Sequence, residues 1–142
     1  MEIKKLNENL SVAGQLNPAD VAGIAEQGFK TIICNRPDGE ATDQPEFGII
    51  RQNAENAGLT FVFLPVLSSG PTEQNIGEFS AALDIAQSPV LAYCRTGTRC
   101  TILWALSQGA KGVPVDDIVS TAAKAGYDVS KVAPYISQSQ NS

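Results

Sequence analysis

The hydrophobic positions of this chain fall into short apolar runs separated by longer stretches with helical spacing. Four of the runs are rich in β-branched and aromatic residues, which favour strands. The predicted strands lie at residues 10–14, 30–35, 60–66 and 89–93. The first of them is expected at the edge of the sheet. Because strands and helices alternate, the pattern predicts a three-layer α/β/α fold with a mainly parallel central sheet of about four strands.

The stretches between the strands carry residues that usually start and stop helices. Asn17 caps the first helix, Gly28 ends it, and Thr72 caps the third. The predicted helices lie at residues 18–27, 45–57, 73–86, 101–108 and 114–125. Residues 1–142 are expected to form a single domain without repeats or linkers, and the polar end at 137–142 is expected to be frayed.

Three predicted loops are expected to meet at one place. If the strands run parallel, their carboxyl ends share one edge of the sheet, and open α/β sheets bind their ligands at that edge. The loops at this edge are 36–44, 67–71 and 94–99. Side chains in these loops are therefore the first candidates for a functional site.

The loop 94–99, Cys-Arg-Thr-Gly-Thr-Arg, has the composition of an anion-binding site that holds a reactive cysteine. Gly97 can adopt a positive φ, which lets successive backbone N–H groups turn inward around an anion. The following helix adds unpaired N–H groups and the positive end of its dipole, and Arg99 offers an oxyanion a planar fork of donors. These features favour a thiolate, which is the nucleophilic form of cysteine. We therefore predict Cys94 as a nucleophile and Arg99 as its oxyanion clamp.

Further polar side chains at this edge are candidates for contact with substrate. They come from the anion loop itself and from the two loops beside it. The candidate anion ligands are Arg95, Thr96, Gly97, Thr98, Arg36 and Ser68. Asp38 is predicted as the general acid, because a carboxylate here is placed to protonate a leaving group. Its neighbours Pro37 and Gly39 equally suit an ordinary turn, in which Asp38 has only a structural role.

The other two cysteines have different expected roles. Cys34 lies in an apolar strand and is expected to pack in the core. Cys100 directly follows Arg99, and it either packs in the core or resolves an oxidised Cys94 as a redox partner. Packing is the favoured role, with the expectation that the Cys100 sulfur points into the core and cannot reach Cys94 without local unfolding.

The composition limits the chemistry. The chain of 142 residues has no histidine, which removes Ser-His and Cys-His dyads and the commonest zinc ligand. No metal or other cofactor is therefore predicted. A net charge of −5 without a basic run argues against nucleic acid or an anionic membrane as a partner. The lack of a long apolar segment leads us to expect a cytoplasmic protein, and the oligomeric state is left open.

Nearly the whole chain resembles the phosphatase-like domain of beta-lactamase hydrolase-like proteins, a bacterial branch related to dual-specificity and tyrosine phosphatases. The segments that carry this resemblance are Gln15-Leu16, Gly28-Phe29-Lys30-Thr31, Asn35-Arg36-Pro37-Asp38, Gln44-Pro45, Pro65-Val66 and the run from Pro89 to Arg99. The resemblance implies a protein-tyrosine-phosphatase-like fold in which Cys94 attacks and Arg99 clamps the oxyanion. The expected partner is a phosphorylated substrate or a small oxyanion, and the expected reaction is hydrolysis of phosphate monoesters through a phosphocysteine.

Several positions depart from the usual pattern of such phosphatases. Four residues rather than five separate Cys94 from Arg99, Tyr93 replaces the usual histidine, and Cys100 stands where serine or threonine is usual. The turn at 67–70 lacks the usual acidic residue. A six-residue loop of this kind resembles rhodanese-type sulfurtransferases, in which the cysteine carries a persulfide. A persulfide carrier, and a non-enzymatic module that binds phosphate or a partner, are therefore the alternatives.

Overall fold

The central element of the protein is a five-stranded mixed sheet, seen in a computed structural model that describes residues 2–140. The strands are β1 (Ile3–Lys5), β2 (Leu10–Ala13), β3 (Thr31–Cys34), β4 (Thr60–Phe63) and β5 (Val90–Tyr93). Their order across the sheet is β1-β2-β5-β3-β4. Only β1 runs antiparallel to its neighbour, and β2, β5, β3 and β4 pair in parallel. The predicted α/β fold with a mainly parallel sheet is confirmed.

The last residue of β5 lies at the centre of the functional edge. Tyr93 is aligned with Ala13 of β2 on one side and with Cys34 of β3 on the other. All four residues of β5 are buried, as expected for a central strand covered on both faces. Because the strands beside β5 run parallel to it, the segments that follow β2, β3 and β5 emerge side by side.

Helices cover both faces of the sheet. They are α1 (Val21–Glu26), α2 (Phe47–Asn56), α3 (Glu73–Ile85), α4 (Thr98–Ala110), α5 (Val115–Lys124) and α6 (Ala133–Gln140). Successive strand residues serve opposite layers, because side chains alternate across a strand. Ile32 packs in the core that contains buried residues of α1 and α2, whereas Ile33 packs in the larger core that contains buried residues of α3 to α6.

Local signals located several helix ends correctly. The Thr72 side chain accepts a hydrogen bond from Asn75 N at 3.1 Å, and the Asn75 side chain accepts one from Thr72 N at 2.9 Å. This reciprocal capping box begins α3 where the sequence predicted a helix. Gly28 has a φ of +97° just beyond α1, which is the left-handed conformation that glycine adopts readily at a helix end.

Two expectations about the chain ends are corrected. Strand β2 is internal, because the three-residue strand β1 pairs with its outer side. The sequence 137–140 belongs to α6 rather than to a frayed tail, and residues 141 and 142 lie outside the described residues. Helix α6 was missed because its sequence is largely polar, and it is held by tertiary contact. Its Ile136 is 1% exposed and lies in the larger core.

Within residues 2–140, no helix has the length and apolar character needed to cross a bilayer.

Candidate active site

The predicted anion loop connects the end of the central strand to a helix. Strand β5 ends at Tyr93, Cys94 follows, and α4 begins at Thr98. The helix thus starts three residues earlier than predicted, so that Thr98 and Arg99 belong to its first turn and only residues 94–97 form the loop. The backbone N–H groups at the start of a helix lack intrahelical partners and favour an anion. The structure therefore places such groups next to Cys94.

Gly97 is required at the turn from the loop into α4. Its φ is +90°, and a Cβ at this position would collide with the Tyr127 hydroxyl. That hydroxyl donates a hydrogen bond to the Thr96 carbonyl at 3.0 Å, so Tyr127 packs over the outside of the loop. On the other side, the Arg95 carbonyl accepts a hydrogen bond from Gln15 N at 3.2 Å. These contacts fix the loop backbone from two directions. No sequence motif singled out Tyr127.

Cys94 lies at the base of the loop as an acidified thiol. Its side chain is almost fully buried, and its sulfur accepts a hydrogen bond from Gly97 N at 3.1 Å. The pKa of Cys94 is lowered to about 5, chiefly because the Cys100 thiol donates a hydrogen bond to its sulfur. Burial opposes this effect, and the N–H groups of Cys100, Thr96 and Gly97 add to it. At neutral pH the geometry therefore favours the thiolate.

Cys100 both packs in the core and contacts Cys94. It is fully buried in the larger core, as the packing role requires. Its thiol nevertheless lies against the Cys94 sulfur, and burial together with that neighbour raises the pKa of Cys100 well above its usual value. The expectation that a core orientation keeps the two sulfurs apart is therefore wrong. In the first turn of α4, a side chain that faces the core also faces the end of β5.

Arg99 is held by a carboxylate that the sequence did not assign to it. Its Nη1 donates to Glu40 Oε2 and to the Val66 carbonyl, both at 2.8 Å, and its Nη2 donates to Glu40 Oε1 at 2.7 Å. These contacts raise the pKa of Arg99 and lower the pKa of Glu40 to about 2, because the Arg99 guanidinium bonds the carboxylate. A carboxylate with so low a pKa stays ionised and cannot serve as a general acid at neutral pH.

Arg36, predicted as an anion ligand, is buried and hydrogen-bonded to other side chains of the protein. Its side chain is only 5% exposed, and its Nε donates to Glu40 Oε1 at 2.9 Å. Its Nη1 donates to Gln15 Oε1 at 3.0 Å. An arginine that is buried in this way requires a charged partner. Arg36 therefore supports Glu40, and through Glu40 it contacts Arg99 indirectly.

Asp38 lies exposed on the same loop and caps a helix. Its Oδ1 accepts a hydrogen bond from Phe47 N, the first residue of α2, at 2.8 Å. This contact fits the structural role of Asp38 in the Pro-Asp-Gly turn, and among residues 2–140 only its Oδ1 accepts a hydrogen bond. The proton-donating role of Asp38 stays a prediction.

The remaining predicted ligands lie at the surface around the loop. Arg95, Thr96 and Thr98 are exposed, and the hydroxyls of the two threonines are 3.0 Å apart. Ser68 lies in the exposed turn after β4, and within residues 2–140 no hydrogen bond joins it to the anion loop. The structure thus brings the hydroxyls of Thr96 and Thr98 together, whereas within residues 2–140 no hydrogen bond connects Ser68 to them.

Cys34 and Tyr93 form a buried pair beneath the site. The Cys34 thiol donates to the Arg36 carbonyl at 3.3 Å and is also hydrogen-bonded to the Tyr93 hydroxyl. Burial raises the pKa of Cys34 to about 11 and raises that of Tyr93 as well. Cys34 therefore packs in the core, as predicted, and its raised pKa disfavours the reactive thiolate. Across the described part of the chain, no group of three or more histidine, cysteine or acidic side chains is able to hold a metal ion.

Alkylation by neutral iodoacetamide is expected to modify Cys94 at a rate that changes little between about pH 8 and pH 6 and falls below about pH 5. The reason is that the thiolate persists until the pH approaches its lowered pKa. Cys100→Ser keeps a hydrogen-bond donor to the Cys94 sulfur and is expected to preserve this pH profile. Cys100→Val removes the donor and is expected to shift the profile to higher pH. A wild-type profile like that of a free peptide thiol would contradict the assignment.

Mild treatment with hydrogen peroxide is expected to join Cys94 to Cys100. Peroxide oxidises the Cys94 thiolate to a sulfenic acid, and the adjacent Cys100 thiol displaces water from it to form a disulfide. Peptide mapping without reductant measures the cross-link, which a dithiol should reverse and Cys100→Ser should abolish. Accumulation of sulfinic acid on Cys94 without any cross-link would show that Cys100 only packs.

Comparison with known proteins places this geometry in a family. The chain matches the model described as beta-lactamase hydrolase-like protein, phosphatase-like domain, over residues 2–111. A beta-lactamase hydrolase-like protein of Xylella fastidiosa is 33% identical over 137 residues, which are 96% of this chain and 32% of that protein. The chain thus spans about a third of the length of the curated relatives that it matches.

Solved structures agree with this relationship. A Neisseria meningitidis protein, described as a candidate phosphatase, is 43% identical and covers 98% of this chain and 99% of its own, with a TM-score of 0.88. The structure of Tk-PTP in its active form is only 11% identical but covers 98% of this chain and 96% of its own, with a TM-score of 0.77. The fold is therefore protein-tyrosine-phosphatase-like, and the chain belongs to the phosphatase-like domain family of beta-lactamase hydrolase-like proteins.

Proposed function

We propose that this domain hydrolyses phosphate monoesters with Cys94 as its nucleophile. The observation that carries the proposal is the Cys94 sulfur at the base of the loop, bonded by Gly97 N at 3.1 Å and by the Cys100 thiol, with a pKa of about 5. A thiolate that is stable at neutral pH attacks without a general base, which suits a chain without histidine. The phosphatase-like family and fold support the same reaction class.

In the first step, the Cys94 sulfur forms a bond to phosphorus while the bond from phosphorus to the ester oxygen breaks. The phosphoryl oxygens carry the negative charge, and the N–H groups of the loop together with Arg99 are the donors that stabilise it. Catalysis of this kind depends on positioned donors more than on covalent chemistry by the protein. The rigid backbone at residues 94–97, braced by Gln15 and Tyr127, suits that requirement.

In the second step, water attacks the phosphocysteine and the sulfur leaves as a thiolate. The leaving sulfur regains the hydrogen bonds that lower its pKa, chief among them the one from Cys100. The Cys100 thiol thus takes the place of the hydroxyl that such phosphatases usually have after the arginine. No metal or cofactor takes part in this scheme.

Asp38 is the proposed general acid for the leaving oxygen. Asp38→Asn is expected to slow hydrolysis of esters with poor leaving groups by about 10²–10⁴-fold, and far less for good leaving groups, because only poor ones need a proton. The amide of the substituted side chain still offers an oxygen to Phe47 N, so the cap of α2 is expected to survive. Turnover of an alkyl and an aryl phosphate measures the difference. Equal effects on both would remove Asp38 from proton transfer.

The experiment that tests the proposal compares turnover of an aryl phosphate with turnover of thiosulfate and cyanide. The expected result is release of phosphate that depends on Cys94, with no thiocyanate formed. The second candidate, a sulfurtransferase with a persulfide on Cys94, is favoured by the six-residue segment from Cys94 to Arg99. Thiocyanate formation without phosphate release would support that candidate. If neither phosphate nor thiocyanate is formed, the result would support a non-enzymatic binding module.

A further inference from the structure

One peptide unit of the anion loop connects the side chain of Tyr127 to the Cys94 sulfur. The unit between Thr96 and Gly97 carries the Thr96 carbonyl, which accepts a hydrogen bond from the Tyr127 hydroxyl at 3.0 Å. Its N–H, on Gly97, donates to the Cys94 sulfur at 3.1 Å. A trans peptide is planar, and its carbonyl and N–H point in opposite directions. A contact that fixes this carbonyl therefore also fixes the direction of the N–H.

The preceding peptide unit of the loop has the same arrangement. The Arg95 carbonyl accepts from Gln15 N at 3.2 Å, while the Thr96 N–H helps to lower the pKa of Cys94. Both units thus turn their carbonyls toward donors outside the loop and their N–H groups toward the sulfur. The outer donor is a backbone N–H at Gln15 but a side-chain hydroxyl at Tyr127, so only the second can be removed alone.

The end of α5 places Tyr127 beside the loop. Gly126 follows the helix with a φ of +95°, and its N–H donates to the Ala123 carbonyl at 2.9 Å. The Tyr127 N–H donates to the Ala122 carbonyl at 2.9 Å, which completes the Schellman motif that ends many helices. Two residues further on, Val129 is 2% exposed and lies in the larger core. The backbone is therefore held on both sides of Tyr127.

The loop backbone leaves room for this hydroxyl. A Cβ at position 97 would collide with the hydroxyl oxygen of Tyr127, and it would lie 3.0 Å from the ring carbon that carries that oxygen. Glycine at position 97 thus permits both the φ of +90° and the close approach of Tyr127. The contact is part of the loop geometry, and the proposed chemistry does not yet use it.

We propose that Tyr127 is a positioning residue, whose hydroxyl orients the peptide between Thr96 and Gly97 so that its N–H faces the Cys94 sulfur. This inference deepens the proposed function and rests on it. The hydroxyl is bonded to the loop backbone, so it acts through the peptide rather than on the sulfur itself. A hydrogen bond accepted by the carbonyl also polarises the peptide, which strengthens its N–H as a donor to an anion.

The other charged and titratable groups nearby do not obscure the titration of Cys94. The groups that face Cys94 are Cys34 on β3, Arg99 and Cys100 on α4, and Tyr127, while Glu2 faces Tyr127. The pKa values of Cys34, Cys100, Arg99 and Tyr127 are all raised. These four groups therefore keep their protons between about pH 4 and pH 8. A thiol that loses its proton in that range is Cys94.

Two variants of Tyr127 and one control separate the hydroxyl from the ring. Tyr127→Phe removes only the hydroxyl and keeps the ring in place, so it is expected to fold like wild type. Tyr127→Leu removes the ring as well. Tyr135→Phe is the matched control, because Tyr135 is 65% exposed on α6. A cooperative thermal transition in each variant confirms that it is folded.

The first readout is the rate of Cys94 alkylation by neutral iodoacetamide over a range of pH. The pKa of Cys94 is lowered in wild type, so a weakened donor moves it upward. We expect the midpoint of the profile to rise by roughly half a pH unit in Tyr127→Phe and in Tyr127→Leu. Water at the Thr96 carbonyl limits the shift. Alkylation should then be about twofold slower than wild type at pH 5 and unchanged at pH 8.

The second readout is the turnover of an aryl phosphate at neutral pH. Cys94 is a thiolate in all variants under this condition, so a change in rate reports the placement of the loop N–H in the transition state. We expect kcat to fall about 3–10-fold in Tyr127→Phe, with little change in KM. We expect both kcat and the alkylation midpoint of Tyr135→Phe to match wild type.

Three outcomes would overturn the proposal. A wild-type alkylation midpoint in Tyr127→Phe would show that the hydroxyl has no such role, and a shift confined to Tyr127→Leu would assign the effect to packing of the ring. An equal shift in Tyr135→Phe would show that the change does not arise at the loop. If wild type hydrolyses no aryl phosphate, the proposed function fails, while the alkylation midpoint still decides the role of Tyr127.

Discussion

Replacing Cys94 with serine is expected to reduce turnover of an aryl phosphate by on the order of 10⁴–10⁶-fold, the scale on which removal of a nucleophile acts in hydrolases. The donors that hold the sulfur remain in place, but a serine hydroxyl stays protonated near them at neutral pH. The chain has no histidine that would activate it as a base. Initial rates at saturating substrate measure the change.

The matched control is Cys34→Ala, which removes the cysteine that ends β3, the neighbour of β5 in the sheet. Cys34 is buried, its pKa is raised to about 11, and it contacts Tyr93 and the Arg36 carbonyl rather than the anion loop. Turnover in this variant is expected to remain close to that of wild type. Turnover that survives in Cys94→Ser, or that is lost equally in both variants, would contradict the role of Cys94 as nucleophile.

Replacing Arg99 with lysine is expected to lower kcat by about 10²–10³-fold, as loss of an oxyanion donor typically does. The reason is geometric, because charge is conserved. An ammonium cannot hold both Glu40 oxygens and the Val66 carbonyl while it presents two parallel donors to a phosphoryl group. Inhibition by inorganic phosphate should weaken in the same variant, since the bound phosphate ion is expected to accept hydrogen bonds from the same two parallel donors of Arg99.

Arg51→Lys serves as the control for this substitution. Arg51 lies on α2 with a side chain that is 54% exposed, and it pairs with Glu55 at the surface. Its replacement by lysine is expected to leave both kcat and phosphate inhibition unchanged. Phosphate inhibition that is identical in wild type and Arg99→Lys would remove Arg99 from oxyanion binding.

Features that depend on a short stretch of sequence could be predicted. The anion loop was recognised because Cys94, Gly97 and Arg99 lie within six residues, and the need for positive φ at Gly97 follows from local backbone geometry. The capping residue Thr72 and the apolar strands were likewise readable, because each signal lies within one element. The common edge of the parallel strands then followed from topology.

Features that depend on the packing of distant segments could not be predicted. Glu40 and Arg99 are 59 residues apart, and nothing in either local sequence indicates that they pair. Arg36 looked like a substrate ligand because an arginine at an active edge usually is one, and only its contacts with Glu40 and Gln15 show that it is buried. The contact between the Cys100 thiol and the Cys94 sulfur likewise depends on how the first turn of α4 is oriented against the end of β5.

The covalent state of Cys94 during turnover tests the account most directly. The protein is mixed with an aryl phosphate, quenched in the steady state and digested, and the peptide that contains Cys94 is examined by mass spectrometry, with Cys94→Ser as the control. The expected result is a phosphoryl group on the Cys94 sulfur of the wild-type protein alone. Phosphate release with Cys94 unmodified, or a phosphoryl group on another residue, would contradict the account.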